Sequence, residues 1–430
     1  MIRKILKESL ATYIFQIVLI CFAFLANVVI TRILGPEGKG QYDVIINFTF
    51  IIRLLSLLGL DIAAAHFIGY RGLERGAVSF NIFFIGIFST IFFTFGTLIF
   101  WNFIPLEYSF VNYIFIATVP LSGLTLLSGF ILLGNGRIIN YNLLESARNV
   151  FYLLFLSIFF ILFGLNYTKI SICYLFGIAA TFKLGLFFLY KYKLFRIDRR
   201  SFSIAYIKQL LNFSKYPYIG GLLSFLVYRI DVFIVYRILG EKATGIYGIA
   251  VVFMELLKYI SKSIQLVVIA KIKDFTGGQK SMMVIFMLKC VFLILMFLGI
   301  LFIIFGERLI TFIYGEEFLE SSKILIYLFP GILFVGMSQI LSGYFISQGW
   351  VKIFITSNSC ALLLNVLLDI IYIPAYGLVA ASVSTTVAYF SSFILILVYF
   401  LRKERLKISV FLPSRSDIVL VKDLLYGEKD

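Results

Sequence analysis

The chain has 430 residues, of which 61% are hydrophobic and 14% are charged, and its formal net charge is +16. Soluble domains carry about 25% charged residues, so this composition excludes a soluble protein and predicts an integral membrane protein. A helical span needs about 20 apolar residues, which leaves room for about twelve spans. The basic loops of membrane proteins account for the positive charge, and with no nucleic-acid-binding module we expect no nucleic-acid partner.

Apolar and polar segments alternate along the whole chain. Six apolar segments lie in residues 1–190, a basic stretch follows at 191–215, six more lie in residues 216–401, and residues 402–430 are polar and charged. We expect two six-helix lobes, a basic cytoplasmic loop between them and a cytoplasmic tail. The predicted spans are about 11–31, 41–62, 80–101, 111–133, 148–165, 170–190, 216–236, 245–270, 283–305, 324–347, 352–373 and 377–401.

The distribution of Lys and Arg predicts the orientation. With the N-terminus in the cytoplasm, the cytoplasmic segments carry 25 basic residues and the external segments carry seven. Cytoplasmic loops of membrane proteins hold the excess of basic residues. We therefore expect both termini in the cytoplasm.

One eleven-residue stretch occurs twice. Arg32-Ile-Leu-Gly-Pro-Glu-Gly-Lys-Gly-Gln-Tyr42 recurs as Arg237-Ile-Leu-Gly-Glu-Lys-Ala-Thr-Gly-Ile-Tyr247, with six identical positions and an offset of 205 residues. A repeat at half the chain length indicates two copies of one module. Because six spans separate the copies, the sequence predicts two parallel six-helix repeats around a central cleft.

The repeated stretch is predicted to form an external hairpin in each lobe. Gly35 and Gly240 are expected to end one helix in a left-handed cap, because glycine adopts positive φ without steric cost. Gly40 and Gly245 are expected to begin the next helix.

Several basic residues fall inside the predicted spans. A charge at the bilayer centre costs about 2.5–3.5 kcal/mol on insertion scales, so six cations facing lipid would cost roughly 15–20 kcal/mol. Most of them must therefore face a wet cavity, pair with acids or reach the interface from a helix end. The six are Arg53, Lys183, Arg229, Lys258, Lys262 and Lys289.

The eighth predicted span carries a polar stripe. Glu255, Lys258, Lys262 and Gln265 lie within about 80° of arc on a helix. Two interpretations stay open. The stripe is either the wall of a cationic substrate cavity, or a Glu255–Lys258 pair with Lys262 reaching towards the interface.

Two further arginines are candidates for the same cavity. Arg53 lies near the middle of the second span, where Asp43, Asn47 and Asp61 would share another face of the helix. The alternative for Arg53 is an internal ion pair. Arg229 and Asp231 point about 160° apart on a helix, so we expect Arg229 to face the cavity and Asp231 to bond a neighbouring helix.

Intramembrane acids are candidates for ion coupling. Asp43, Glu255 and Asp369 could relay a proton or bind sodium. No other cofactor is expected, since the four cysteines lie in apolar runs and His66 is the single histidine. The sequence also lacks a GxxxxGK[ST] loop and a Ser-His-Asp set, so we expect neither a metal site nor an enzyme.

The chain resembles the polysaccharide-biosynthesis flippases, which transport repeat units of O antigen and capsule and belong to the multidrug/oligosaccharidyl-lipid/polysaccharide exporter superfamily. The resemblance covers about residues 1–401. It is carried by Asn27-Val-Val-Ile-Thr-Arg32, Ile33-Leu-Gly35, Gly40, Tyr42, Leu58-Gly-Leu-Asp61, Arg229-Ile-Asp231, Leu239-Gly240 and Gly245-Ile-Tyr247.

The resemblance implies a function. Such a protein would flip an undecaprenyl-diphosphate-linked oligosaccharide across the bacterial inner membrane by alternating access, for lipopolysaccharide or capsule assembly. Cationic residues fit the diphosphate, because arginine binds phosphate oxygens in a bidentate manner. Its partners would be the lipid-linked substrate, membrane lipids, and polysaccharide polymerase or other assembly proteins.

Three rival functions remain, one of which is a non-transporting assembly partner of the polysaccharide machinery. A multidrug antiporter of the same superfamily would be expected to hold acids in its cleft, whereas bases prevail here. A membrane-embedded polysaccharide polymerase or ligase would be expected to carry a large external loop, and the longest external stretch, about 306–323, is short.

Overall fold

A computed structural model describes residues 2–69, 75–99, 110–194, 202–272, 275 and 277–411. Within these ranges the chain is almost entirely α-helical and has no β-strand. The helices are α1 (Ile2–Leu57), α2 (Leu60–Gly69), α3 (Arg75–Ile99), α4 (Phe110–Gly134), α5 (Ile138–Phe163), α6 (Tyr167–Lys191), α7 (Ile204–Lys271), α8 (Gly278–Tyr314), α9 (Glu320–Ser347) and α10 (Val351–Glu404).

Three of these helices are too long for one membrane crossing. Helices α1, α7 and α10 have 56, 68 and 54 residues, or about 80–100 Å at 1.5 Å per residue. That is about twice the thickness of a bilayer. Each is two helices joined at one glycine with non-helical backbone angles. Counted in this way, the described helices give twelve helical segments, with α2 extending the second. Eight of the described helices are long and apolar enough to cross a membrane, and the predicted all-α membrane fold is confirmed.

The corner glycines share an unusual backbone conformation. Gly35 has φ 64° and ψ −175°, Gly240 has φ 84° and ψ −171°, and Gly377 has φ 60° and ψ −142°. Gly164, between α5 and α6, has φ 64° and ψ 167°. This region of positive φ with extended ψ is essentially reserved for glycine. Gly35 and Gly240 thus have the positive φ that the sequence predicts. The predicted left-handed cap is wrong, because ψ lies near 180° at both glycines.

Gly40 and Gly245 do not begin helices, contrary to the sequence-based expectation. Both lie inside helices, where the two copies of the repeated stretch touch. A Cβ atom on Gly40 would lie 1.9 Å from the carbonyl oxygen of Glu241, and one on Gly245 would lie 1.9 Å from that of Pro36. Glycine is needed here for close backbone approach. The Gln41 amide donates a hydrogen bond of 2.7 Å to the Glu241 carboxylate beside this contact.

A substitution at one corner tests the glycine requirement. Gly240→Ala should destabilise the protein by about 1–3 kcal/mol, because alanine is strained at this φ and ψ. Thermal unfolding of the purified protein in detergent measures the change. Gly221→Ala in the same helix is the matched control, since nothing lies within 4 Å of the position of its Cβ and alanine favours the helix over glycine. Equal melting temperatures for both variants would contradict the requirement.

The two halves each contain one deeply buried helix. In α4 and in α9, 61% of the residues in the most apolar stretch are buried inside the protein. In the other described helices that are long and apolar enough to span a membrane, this share is 17–39%. Both contain a proline near the middle, Pro120 in α4 and Pro330 in α9. Helix α4 is the fourth helical segment of the chain and α9 is the tenth. This spacing of six segments supports the two-repeat architecture.

The chain divides into two compact units. The first comprises residues 1–225 and 239–245, and the second comprises 226–238 and 246–430. In the first unit, α4 packs against α1, α2, α3, α5 and α6; in the second, α9 packs against α8 and α10. The lobe boundaries inferred from sequence remain a prediction.

Several expected boundaries differ from the structure. Residues 204–215, expected in the basic loop, are helical from Ile204 onwards, while 195–201 and the tail beyond 411 lie outside the described residues. Helix α1 ends at Leu57 because Leu58 and Gly59 have positive φ values of 51° and 73°.

The break after α1 changes one predicted helix face. Asp61 lies in the first turn of α2, whereas Asp43 and Asn47 lie in α1. The prediction that these three residues share one helix face is therefore wrong, because no continuous helix joins them.

Candidate functional site

A charged cluster lies on α7 in the second unit. Arg229 Nη2 lies 2.5 Å from Glu255 Oε1, and these side chains are 21% and 32% exposed. Lys258 Nζ lies 3.9 Å from the same oxygen and 3.9 Å from the centroid of the Tyr228 ring. We call Tyr228, Arg229, Glu255 and Lys258 the α7 cluster. One carboxylate faces two cations, so the cluster carries a net positive charge.

The α7 cluster bears on the alternatives left open by the sequence. The Glu255–Lys258 pair is present but long, and the nearer partner of Glu255 is Arg229. The two arms of α7, on either side of Gly240, thus bring together residues that lie 26 positions apart. Lys262 is exposed one turn further along. A role of Arg229, Lys258 and Lys262 in substrate binding stays a prediction.

A second polar cluster is fully buried in the second unit. The Tyr247 hydroxyl donates a hydrogen bond of 2.5 Å to Asp231 Oδ2, and the Thr385 hydroxyl donates one of 3.2 Å to the same oxygen. Asn365 Nδ2 lies 3.4 Å from the Thr385 hydroxyl. Asp231 therefore bonds neighbouring helices, as its position on the helix indicated. We call Asp231, Tyr247, Asn365, Asp369 and Thr385 the buried acid cluster.

Several oxygens of the buried acid cluster lack partners. Asp369 and Asn365 are both 0% exposed. Among the described residues, neither carboxylate oxygen of Asp369 nor Oδ1 of Asn365 has a hydrogen-bond partner of normal geometry, and the hydroxyl of Ser384 lies near Asp369. A buried acceptor without a donor is costly, so these oxygens fit a bound cation. Oxygen ligands suit sodium, which is a hard cation like those that carboxylates and carbonyls bind.

The first unit contains a separate recess. It is lined by side chains from α1, α4, α5 and α6, namely Arg53, Ser122, Thr125, Leu126, Leu144, Glu145, Arg148, Ile178 and Thr181. The Arg53 guanidinium lies 4.4 Å from the centroid of the Phe50 ring, and Phe50 stacks on Phe225 at 4.6 Å. We call this the α4–α5 recess.

Sequence reasoning missed two residues of this recess. The fifth span is predicted to begin near residue 148, which places Arg148 at its end and Glu145 outside it. Helix α5 begins at Ile138 instead, just after the turn at Gly136. The Asn135-Gly136 dipeptide, a strong turn signal, could have placed this helix start from the sequence.

Asp43, a candidate acid for ion coupling, already has a partner. The ammonium group of Lys39 bonds Asp43, four residues further along α1, and the Lys39 side chain is 1% exposed. Lys39, expected in an external loop, is thus buried in the helix that follows Gly35. An acid that compensates a buried cation is poorly placed to exchange a coupling ion.

The sequence matches two known family models. Residues 5–269 match a family model described as polysaccharide biosynthesis protein, and residues 218–371 match the MatE model. Curated proteins give no significant match.

Several solved structures have a similar fold. The lipid II flippase MurJ in an inward closed conformation aligns with a TM-score of 0.73 and 18% identity, over 99% of this chain and 94% of that chain. An inward-facing multidrug resistance MATE transporter aligns with a TM-score of 0.73 and 14% identity, over 90% and 94%. A MOP superfamily transporter from Pyrococcus furiosus aligns with a TM-score of 0.68 and 15% identity, over 95% and 96%.

These structural likenesses establish the fold, and the first family model covers more than half of the chain. Together with the eight described helices that are long and apolar enough to cross a membrane, they describe a multi-pass membrane protein. The chain belongs to the polysaccharide biosynthesis protein family.

Proposed function

We propose that the protein flips undecaprenyl-diphosphate-linked oligosaccharide repeat units across the bacterial inner membrane by alternating access. The repeat units would serve the assembly of a surface polysaccharide such as O antigen or capsule. The observation that carries this proposal is the α7 cluster, in which two cations lie beside one acid.

The charge of the α7 cluster fits a lipid diphosphate. Arg229 and Lys258 both donate to oxyanions, and a guanidinium binds phosphate oxygens through two parallel hydrogen bonds. The two cations and the single carboxylate of Glu255 give the α7 cluster a net positive charge, which suits an anionic substrate. An antiporter for cationic drugs would need the opposite balance, so the α7 cluster favours the flippase.

The buried acid cluster supports ion coupling. Asp231, Asp369, Asn365 and Thr385 would hold one sodium ion, and Asp369 and Asn365 would supply the oxygens that lack donors. The ion would stabilise one conformation of the transporter over another by its difference in affinity for the two. Transport needs no covalent step, so we propose a transporter rather than an enzyme, which would work beside a polymerase and other assembly proteins.

Transport in proteoliposomes tests the proposal. Purified protein is reconstituted with a fluorescent undecaprenyl-diphosphate oligosaccharide, and the outer-leaflet fraction is followed with an enzyme that acts on exposed glycan only. We expect the labelled lipid to equilibrate between leaflets with the protein and to remain in place in empty liposomes.

A competing substrate class provides the contrast. Liposomes loaded with a cationic dye should show no protein-dependent efflux in a sodium or proton gradient. Dye efflux without movement of the lipid-linked glycan would overturn the flippase in favour of the antiporter.

A further inference from the structure

Tyr389 lies between the buried acid cluster and the α7 cluster. It follows Thr385 by four residues on α10, so both side chains lie on one face of that helix. On α7, Tyr228 and Asp231 share a face in the same way, three residues apart. The Thr385 hydroxyl donates to Asp231 at 3.2 Å. The Tyr389 ring meets the Tyr228 ring edge-on, with a centroid distance of 5.8 Å, so these two faces of α7 and α10 connect the clusters.

The hydroxyl group of Tyr389 is buried without a partner. The residue is 1% exposed, and among the described residues its hydroxyl oxygen has no hydrogen-bond partner. Two carboxylates, Asp231 and Glu255, and the guanidinium of Arg229 lie within range of electrostatic interaction with Tyr389. A buried donor that lacks an acceptor is costly, so we expect this hydroxyl to orient towards the stronger of the two negative charges.

Close packing leaves the ring of Tyr389 little freedom to move. A Cβ atom on Gly331 of α9 would lie 3.2 Å from Cδ2 of this ring and 3.1 Å from Cα of Thr386. Helices α9 and α10 are therefore in close contact here, and side chains in such interiors stay in their rotamers. The O–H bond can still turn without a change in packing, because a hydroxyl hydrogen rotates to suit its acceptor.

The two carboxylates near Tyr389 differ in how far their charge is compensated. Glu255 has a cation beside it, since Arg229 Nη2 lies 2.5 Å from its Oε1. Asp231 instead accepts hydrogen bonds from the neutral hydroxyls of Tyr247 and Thr385. Asp231 thus carries the less compensated negative charge, and a cation bound to the buried acid cluster would reverse this order.

We propose that Tyr389 is a positioning residue that couples the two clusters. While no cation is bound, its hydroxyl points towards Asp231. Once a cation binds there, the hydroxyl turns towards Glu255, directly or through a bridging water, and weakens the attraction between this carboxylate and Arg229. Arg229 then binds the diphosphate in place of Glu255. The inference rests on the proposed function.

Such a coupling is reciprocal. If the cation raises the affinity of the α7 cluster for a diphosphate, the diphosphate must raise the affinity of the buried acid cluster for the cation by the same factor. Couplings of this kind amount to about 5- to 150-fold. Ion and substrate would therefore occupy the second unit together rather than singly.

NMR of one lysine tests the coupling without any transported substrate. The lysine side chains of the purified full-length protein are ¹³C-methylated, and the Lys258 signal is assigned with Lys258→Arg. The Tyr228 ring, 3.9 Å from Lys258 Nζ, displaces this signal from those of other lysines. Replacing choline chloride by sodium chloride, or introducing Asp231→Asn, reduces the negative charge at the buried acid cluster and should shift the signal. In Tyr389→Phe either change should shift it markedly less, because only the direct electrostatic effect remains.

Tyr399→Phe is the matched control for loss of a hydroxyl. It changes the same helix outside both clusters, where the ring packs on Phe345 and Trp350, and should leave the shift of the Lys258 signal as in wild type. Tyr389→Phe should melt no lower than wild type, since it removes a buried hydroxyl that has no partner. Equal shifts in the two variants, or a wild-type signal that responds to neither sodium nor Asp231→Asn, would overturn the coupling.

Pyrophosphate binding separates this inference from the proposed function. Calorimetry on the full-length protein in detergent measures the Kd of pyrophosphate in sodium chloride and in choline chloride. Sodium should tighten binding about 5-fold or more in wild type and have no effect in Tyr389→Phe. Sodium-dependent tightening that survives Tyr389→Phe would overturn the role of Tyr389. If the Lys258 signal responds through Tyr389 but pyrophosphate does not bind, the flippase proposal fails and the coupling stands.

Discussion

Arg229→Ala is expected to reduce flipping of the lipid-linked oligosaccharide about 10- to 100-fold, measured as the initial rate in proteoliposomes. The guanidinium is the closest cation to Glu255, at 2.5 Å, and would exchange this carboxylate for the diphosphate. Losing one charge-assisted contact to an anion costs about 1.5–3 kcal/mol, which corresponds to that range of rates. Arg229→Lys should recover only part of the rate, because lysine lacks the bidentate fork.

A double variant separates binding from structure. Removing Arg229 leaves the partly buried Glu255 beside the more distant Lys258, and this alone can destabilise the protein. In Arg229→Ala/Glu255→Ala that charge is gone, so folding stability should recover while transport remains lost. A double variant with wild-type transport would show that Arg229 only compensates Glu255. Arg308→Gln, at an exposed position near the end of α8, controls for loss of an arginine elsewhere.

Periodicity and glycine chemistry revealed the fold from the sequence alone. The repeated stretch predicted a corner at Gly35 and at Gly240, and both glycines have the expected positive φ, although ψ is extended and no left-handed cap forms. The close approach of Gly40 to Gly245 could not be predicted, since it depends on contact between segments 205 residues apart.

The candidate sites were predicted only where one helix carries the whole pattern. The stripe of Glu255 and Lys258 was visible because residues three apart on a helix are neighbours. The partner of Glu255, Arg229, lies across the Gly240 corner, and Arg148 meets Arg53 only through packing of different helices. Helical spacing carries no information about such pairs.

Asp369→Asn is expected to remove a sodium-dependent stabilisation of the purified protein. In wild type, replacing choline chloride by sodium chloride at constant ionic strength should raise the melting temperature, because an ion that binds only the folded protein adds about 2.7 kcal/mol at 100 times its Kd. Asp369 and Asn365 supply the buried oxygens that lack donors, so a neutral amide in place of Asp369 should abolish the increase.

Asp43→Asn distinguishes this site from the other acids. The Asp43 carboxylate is bound to the buried Lys39, so its loss should lower the melting temperature in both salts and keep the sodium increment. Asp231→Asn should lose the increment, since the Asp231 Oδ2 accepts hydrogen bonds from Tyr247 and Thr385 and would be a ligand of the same proposed ion. A sodium increment that survives both Asp231→Asn and Asp369→Asn would place the ion elsewhere. If the melting temperature of the wild type does not change with sodium but rises at acidic pH, the site binds a proton in place of sodium. Protonation would supply the donor that the Asp369 oxygens lack.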